Sequence, residues 1–329
     1  MPKAPLSVPK LLRSSERATF KRCRWKYYLE FVELRKPITD VPPLRFGTLI
    51  HAALADYYIP GVKRGPHPAE TFADLYREDV KEAAGFGFRV EEDEQWVEAG
   101  ELGVAMLENY IDTYGADNQW EVIVTEMPFQ VRVKHKPPFM YVGVLDGVWR
   151  NLASGRLWIP DHKTTAAIQT KYLALDEQAS SYYTFGLEAL RRKGLLARGV
   201  EIDGLLFNFL RKAKPDTRRT NTLGQFLNKD GSVSQKQPAP YFERKMVRRG
   251  ENERSQTYNR VQLEVDDILA VQAGGIDAAY KNAGPFTCVG CWAFDICELH
   301  EIGADWIEFM YSTTKLWDPY AQHEVLEGR

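Results

Sequence analysis

Three of the chain's four cysteines fall within ten residues near its C-terminal end, Cys288-x2-Cys291-x5-Cys297, while the fourth, Cys23, stands 265 positions before Cys288. The Cys-x2-Cys spacing lets two thiolates bind one metal centre, and Cys297 is near enough to join them. A disulfide pair is disfavoured inside a cell. The chain reads as intracellular and cytoplasmic, because MPKAPLSVPKLLRSSER at its start lacks the apolar core of a secretory signal. No run of 18 apolar residues exists that would make a membrane span. Three clustered thiols without a fourth ligand beside them imply a remote one, and Cys23 is the cysteine that remains. Whatever folds between residues 23 and 288 must therefore return its two ends to one place. Such a closure of about 265 residues removes on the order of 5 kcal/mol of chain entropy from the unfolded state, by analogy with a disulfide. Four thiolates suit a [4Fe–4S] cluster or a structural zinc, and His300 is a substitute ligand in the zinc case.

The pattern between the cysteines is helical first and then extended. Residues 8–36 read as a helix with interleaved aromatic and basic side chains, and Gly47–Tyr58 as a second, with Leu49, Ala53 and Tyr57 on one stripe. Helical segments are expected near 69–84 and 95–114. The period then changes from 3.6 to 2: strands are expected at 121–133, 141–149, 156–163 and 203–210, with another near 241–248. Leu173–Arg192 is an amphipathic helix, 211–240 a long loop or hairpin, and 258–282 a further helix. This order predicts an α/β fold, a mixed central sheet flanked by helices. It divides into a helical N-terminal region at 1–118, a sheet-bearing core at 119–256 and a helix with the cysteine tail at 257–329, one integrated domain tied by the cysteines.

The sharpest local feature is Ile159-Pro160-Asp161-His162-Lys163, a charged triplet ending an apolar strand. Two residues apart, Asp161 and Lys163 project from the same face. A lone Asp-x-Lys is usually a salt bridge at a strand end. Here Asp146, on the preceding strand, comes beside Asp161 if the two strands form a hairpin. Carboxylates placed so close repel unless a cation lies between them, and oxygen ligands favour Mg²⁺ or Mn²⁺. Phosphodiester hydrolysis needs an activated water and a stabilised phosphate charge, both of which a carboxylate-held metal supplies. Lys163 would orient that water or stabilise the developing charge. Glu126, one strand earlier, is a further candidate ligand or a supporting group behind one.

These residues resemble the PD-(D/E)xK nuclease superfamily, in the branch of the RecB and AddB nuclease domains. The Pro160-Asp161-x-Lys163 motif stands here with Asp as second acid, and Asp146 follows Gly143 in the Gly-x-x-Asp position. The resemblance implies that Asp146, Asp161 and the His162 backbone carbonyl are metal ligands and Lys163 the base or water-orienting group. It implies that His51, within Gly47-Thr48-Leu49-Ile50-His51, is an additional ligand often seen with Mn²⁺. Gln178-x3-Tyr182, placed on one helix face by its i, i+4 spacing, would face the active site and contact DNA. One distant cysteine followed by Cys-x2-Cys-x5-Cys matches the iron–sulfur staple of AddB-type and related CRISPR-associated nucleases, which favours [4Fe–4S] over zinc.

Charge supplies the remaining expectation. The net charge of -2 conceals ten Lys/Arg against three Glu in residues 1–36 and twelve Lys/Arg against five Asp/Glu in 211–254. Each segment is +7, so the rest of the chain carries -2 - 14 = -16. Two basic segments on an acidic chain suggest a polyanion surface, with Lys21, Arg22, Arg24, Lys26, Arg218 and Arg219 as candidate DNA contacts. The expected function is a metal-dependent DNA exonuclease acting on free ends in recombination, repair or phage DNA processing, with a helicase or recombinase as an imagined partner and no membrane. The competing readings are a catalytically silent DNA-binding module and an end-trimming nuclease of CRISPR adaptation. The sequence contains no P-loop, hence no helicase motor.

Overall fold

The computed structural model describes residues 10–35, 43–85 and 94–303. Residues 8–9 and 36 of the expected first helix, and 304–329 of the C-terminal region, lie outside the described residues. In chain order the elements are β1 (Lys10–Leu12), α1 (Ser14–Arg22), α2 (Arg24–Tyr27) continued by a π turn (Tyr28–Val32), α3 (Pro43–Tyr57), α4 (Pro68–Gly85), α5 (Glu94–Tyr114), β2 (Trp120–Val133), β3 (Phe139–Asn151) and β4 (Leu157–Thr165). There follow α6 (Glu177–Ser181), a π turn (Tyr182–Gly186), α7 (Leu187–Arg192), β5 (Ile202–Arg211), β6 (Phe242–Arg248), α8 (Glu251–Gly274), α9 (Pro285–Cys288) and α10 (Phe294–Glu301).

The six strands make one mixed sheet. Antiparallel β2 covers one edge of β3 along its length, from Trp120↔Asn151 to Val133↔Phe139. The other edge is shared by two strands. At one end β4 pairs with it only through Trp149↔Trp158 and Arg150↔Leu157. At the other, β1 pairs in parallel from Lys10↔Phe139 to Leu12↔Tyr141. Beyond Trp158, β4 leaves β3 and runs parallel to β5 as far as Thr165↔Arg211. The sheet therefore forks between β3 and β4. The parallel β4–β5 step requires a crossover, and the helical run 177–192 supplies it.

Alternation along the strands builds a core on each face. On one, Phe129, Tyr141, Leu145, Ile159 and Phe207 pack against Ala179, Tyr183 and Phe185 of the crossover and Val261, Val265 and Ile268 of α8. On the other, Trp149, Trp158 and Leu206 meet Ile50 and Leu54 of α3, Phe72 of α4 and Tyr110 of α5. A small third core joins Cys23, Trp25 and Leu29 to Ala293 and Ile296. No described helix is long and apolar enough to cross a membrane.

Several expectations need correction. The continuous helix over 8–36 is interrupted: residues 10–12 form an edge strand, and Cys23 is extended at φ -163° and ψ 115° between α1 and α2. The 258–282 helix begins at Glu251, where Glu251 and Glu253 complement the helix N-terminus, and ends at Gly274 before Gly275 with φ 74°. The 173–192 helix is preceded by a separate turn at Leu173–Leu175, with Asp176 capping the Ala179 amide at 2.8 Å. The 211–240 stretch is irregular, with the isolated bridges Thr220↔Phe226 and Leu227↔Val233.

Candidate active site

The fork carries the acidic residues. Thr125 pairs with Gly147 and Met127 with Leu145, so Glu126 lies across the ladder from Asp146, where opposing Cβ atoms are about 5 Å apart. Glu126 has φ 42°, a left-handed conformation uncommon outside glycine. Such strain gathers at functional sites. From the opposite layer α3 brings His51, whose Nδ1 is 3.5 Å from Asp146 Oδ2. Ligand atoms of His51, Glu126 and Asp146 all fall within 4.8 Å of one another, a set able to hold a metal ion. Two glycines permit the approach. A Cβ on Gly47 would stand 3.2 Å from Thr164 Oγ1, where α3 crosses β4, and one on Gly143 would stand 2.7 Å from the Phe129 ring.

The other arm of the fork presents Asp161 and Lys163 to the crossover and His162 to the α3 layer. The Asp161 carboxylate is buried, and its Oδ2 has no hydrogen-bond partner. Lys163 Nζ is 3.0 Å from that oxygen, an ion-pair distance without hydrogen-bond alignment. Lys163 Nζ donates instead to Gln178 Oε1 at 2.8 Å, and Gln178 Nε2 donates to Tyr182 OH at 3.0 Å. The His162 backbone N–H closes the fork by donating to Asp146 Oδ2 at 2.7 Å.

The electrostatics of the site match a place prepared for positive charge. Burial, with repulsion from Asp146, pushes Glu126 up to about 8. Burial also raises Asp161 to about 6, Asp146 adding to the rise while Lys163 opposes it. Against its own burial, Asp146 is held down to about 2 by the His51 imidazolium. His51 in turn, despite burial, is raised to about 9 by Asp146 and Glu126. In effect a proton on His51 does the work of a cation beside the Asp146 carboxylate, and Glu126 holds a proton of its own. Lys163 stays charged, its burial outweighed by Asp161. Burial keeps the Tyr182 phenol protonated.

A network that sequence reasoning did not find stands behind His162. Burial lowers the imidazole to about 3, so it is neutral. Its Nδ1 accepts from Asn208 Nδ2 at 2.7 Å, which places the ring proton on Nε2. Asn208 Nδ2 also donates to Tyr110 OH at 2.9 Å, and Arg244 donates to Asn208, Tyr110, Tyr58 and Asp117 within 3.1 Å. These residues come from the turn after α3, from α5, β5 and β6, and from the α5–β2 turn. No spacing rule joins them, and only the all-polar Asn208 within the apolar strand 203–210 was a local signal.

The four cysteines line one cavity together with Trp25, Lys26 and Lys281. Burial and the three other thiols push the Cys297 thiol up, while Lys281 opposes them. Lys281 Nζ donates to the Cys297 carbonyl at 3.2 Å and lies 4.9 Å from the Trp25 ring centre. His300 packs edge-on against Trp25. Among the described residues no three of the sulfurs lie within 4.8 Å of one another.

The basic residues of α1 and α2 are engaged with protein groups. Lys21 pairs with Glu177 and Glu264, and Arg22 donates to the carbonyls of Phe286 and Thr287. Arg24 lies over the rings of Phe20 and Tyr280, and Lys26 is 3.8 Å from Glu30. In the 211–240 loop Arg218 is held by Asp216, and Arg219 is exposed.

A family model described as the PD-(D/E)XK nuclease superfamily matches residues 14–298. No curated protein sequence matches the chain. Among solved structures, one described as a "putative exonuclease" from Eubacterium rectale is similar at 13% identity and a TM-score of 0.45, covering 97% of this chain and 94% of that one.

Proposed function

Since the chain belongs to the PD-(D/E)XK nuclease superfamily, we propose that it is a divalent-metal-dependent DNA exonuclease of the RecB/AddB-like branch, acting on free ends in recombination, repair or phage DNA processing. The observation that carries this reading is the fork. His51, Glu126 and Asp146 converge within 4.8 Å, and the buried Asp161 carboxylate on the other arm faces the Lys163 ammonium at 3.0 Å. This donor set of carboxylates and one imidazole fits Mg²⁺ or Mn²⁺. His51, Glu126, Asp146, Asp161 and the His162 carbonyl would hold the ion. When bound, the cation supplies Lewis-acid charge at the scissile phosphate and lowers the pKa of water.

The chain's own groups do the rest. Gln178 fixes the Lys163 ammonium, and Asp161 keeps it charged, so Lys163 is aimed at the nucleophilic water or the phosphate oxygens. Gln178 and Tyr182 form the wall that a DNA strand would meet. Asp146 is locked by the His162 amide, so the two arms of the fork keep their spacing. The test uses end-labelled linear DNA and covalently closed circles with Mn²⁺ or Mg²⁺. Linear DNA should be consumed from its ends while circles persist. Cleavage of circles would make the protein an endonuclease, and inertness toward both with every divalent ion would refute nuclease activity.

Protonation gives a second test. At pH 7 His51 (about 9) and Glu126 (about 8) both hold protons that a bound cation displaces. Metal binding should therefore release about two protons, read by titration calorimetry in buffers of different ionisation heat. The folded-state pKa values of His51, Glu126 and Asp161 all exceed their ordinary ones, so their contribution to apo stability is complete at acid pH. It is lost progressively as pH rises from about 4, where the ordinary carboxyls titrate, to about 9. Mn²⁺ should thus raise the melting temperature more at pH 8.5 than at pH 6. A metal shift independent of pH would place the ion elsewhere.

We further propose that Cys23, Cys288, Cys291 and Cys297 hold a [4Fe–4S] cluster. Their joint lining of one cavity supports it. Brown colour and about four irons per chain are expected; a colourless zinc protein would overturn the assignment.

A further inference from the structure

Apart from the active site, a cleft of about 500 Å³ lies at the far end of β2, between that strand, α7 and the start of α8. Five cations line it, Arg132, Lys134, Arg191, Arg192 and Arg254, against one carboxylate, Glu188. Glu201, outside the lining, is 2.5 Å from Arg191 and 3.1 Å from Arg254. Glu188 is 2.8 Å from Arg192. Counting both acids, the cleft retains three positive charges. Arg132 and Lys134 are exposed and have no described ion-pair partner, so two of those charges are free for a ligand. A wall of the cleft is aromatic: Tyr258, half-buried, is held by the Lys134 amide at 2.8 Å and tilts over Phe185 with ring centres 5.9 Å apart.

From this we infer that the cleft is a binding site for the phosphodiester backbone of a single DNA strand, distinct from the catalytic fork. The inference rests on the nuclease reading and extends it. Clustered Lys and Arg beside an aromatic face are what a single strand recognises: phosphates on the cations, a base or sugar on the ring. A volume of 500 Å³ is on the scale of a small-ligand site, which admits a nucleotide or two of one strand and no duplex. Strand β2 links the two places. Arg132 is six residues beyond Glu126, or about 20 Å at about 3.3 Å per residue. That is about six nucleotides at about 3.4 Å per step. A strand lying in the cleft while its end enters the fork would be gripped at two points.

The test measures binding of a fluorescent single-stranded 20-mer against salt, with Ca²⁺ in place of the catalytic ion. The triple variant Arg132→Ala/Lys134→Ala/Arg192→Ala should weaken binding 10- to 100-fold near 0.1 M salt and reduce the salt slope by about 2, at about 0.7 per lost contact. The charge-keeping variant Arg132→Lys/Lys134→Arg/Arg192→Lys should retain the slope. Lys81→Ala, an exposed change on α4, should leave it untouched. An unaltered slope in the triple variant, or an equal loss with Lys81→Ala, overturns the cleft as a strand site. If the wild-type protein cleaves DNA normally in those cases, the nuclease reading survives. A wild-type protein that neither binds nor cleaves DNA ends both.

Discussion

Asp146→Asn is expected to slow DNA cleavage by at least about 1,000-fold while leaving the fold intact. Asp146 is the member of the site on which every other one depends. Its Oδ2 accepts the His162 amide at 2.7 Å and faces His51 Nδ1 at 3.5 Å, and Glu126 stands across the ladder from it. An amide of equal size keeps the packing and removes the charge. His51 then loses its main reason to be protonated, and Glu126 loses the repulsion that adds to its burial. Without metal the variant should fold but melt lower than the wild type near neutral pH, because the favourable Asp146–His51 pairing is gone, and it should bind Mn²⁺ far more weakly. Lys163→Ala separates the two contributions. Lys163 touches Asp161 and Gln178 but belongs to no ligand set, so its loss should cost about 10²- to 10³-fold in rate at saturating metal with metal affinity kept. Single-turnover cleavage of end-labelled DNA, paired with calorimetric metal titration, reads both. Wild-type rates in Asp146→Asn would remove this carboxylate from the mechanism.

What was legible in the sequence was whatever a single period could carry. Alternation placed Asp161 and Lys163 on one face and His162 on the other, and the structure has them so, with Lys163 reaching Gln178 and His162 facing Tyr58 and Asn208. The i, i+4 spacing of Gln178 and Tyr182 is realised as a hydrogen bond of 3.0 Å, across the start of a π turn that no pattern announced. The hairpin assumption was half right. The strands meet only at Trp149 and Arg150, and then β4 departs toward β5, so Asp146 is linked to the next strand through the His162 amide. Register across β2 and β3 was beyond reading, because it depends on an irregularity between Val122 and Val124; it sets Glu126 opposite Asp146. Short β1 was invisible for another reason. Three residues, Lys10–Leu12, have no period of their own and are strand only because the upper part of β3 lacks a partner on that edge. Charge runs misled most. In α1 and α2 the basic side chains answer acids and carbonyls from α6, α8 and the cysteine tail, so net charge along the chain did not measure charge open to solvent.

The same engagement explains why the cysteine tie should matter for stability and not only for colour. Cys23→Ser, a change of one buried atom, is expected to lower the melting temperature by about 7 °C and release the metal. Cys23 sits in the extended step between α1 and α2, in a core whose other members are Trp25, Leu29, Ala293 and Ile296. That core holds few side chains, so the tail has little apolar surface with which to remain docked. Arg22 to the Phe286 and Thr287 carbonyls and Asn282 to the Lys21 carbonyl are exposed contacts, each worth little in water. Coordination of Cys23 together with Cys288, Cys291 and Cys297, as proposed, would close 265 residues. Its loss restores on the order of 5 kcal/mol of chain entropy to the unfolded state. Divided by an unfolding entropy of about 0.7 kcal/mol per kelvin for a chain of this length, that gives the shift stated. The effect should pass beyond the tail, since α1 also anchors Arg17 to Glu264 and to Ser181 of α6, the helix that carries Gln178. Cleavage by Cys23→Ser should accordingly fall at temperatures well below its melting point, while Cys297→Ser, with Cys23 retained, should lose less. Calorimetric melting with iron and zinc analysis of the two variants decides it. Equal melting temperatures and undiminished metal in Cys23→Ser would show that the two ends of the chain are joined by packing alone.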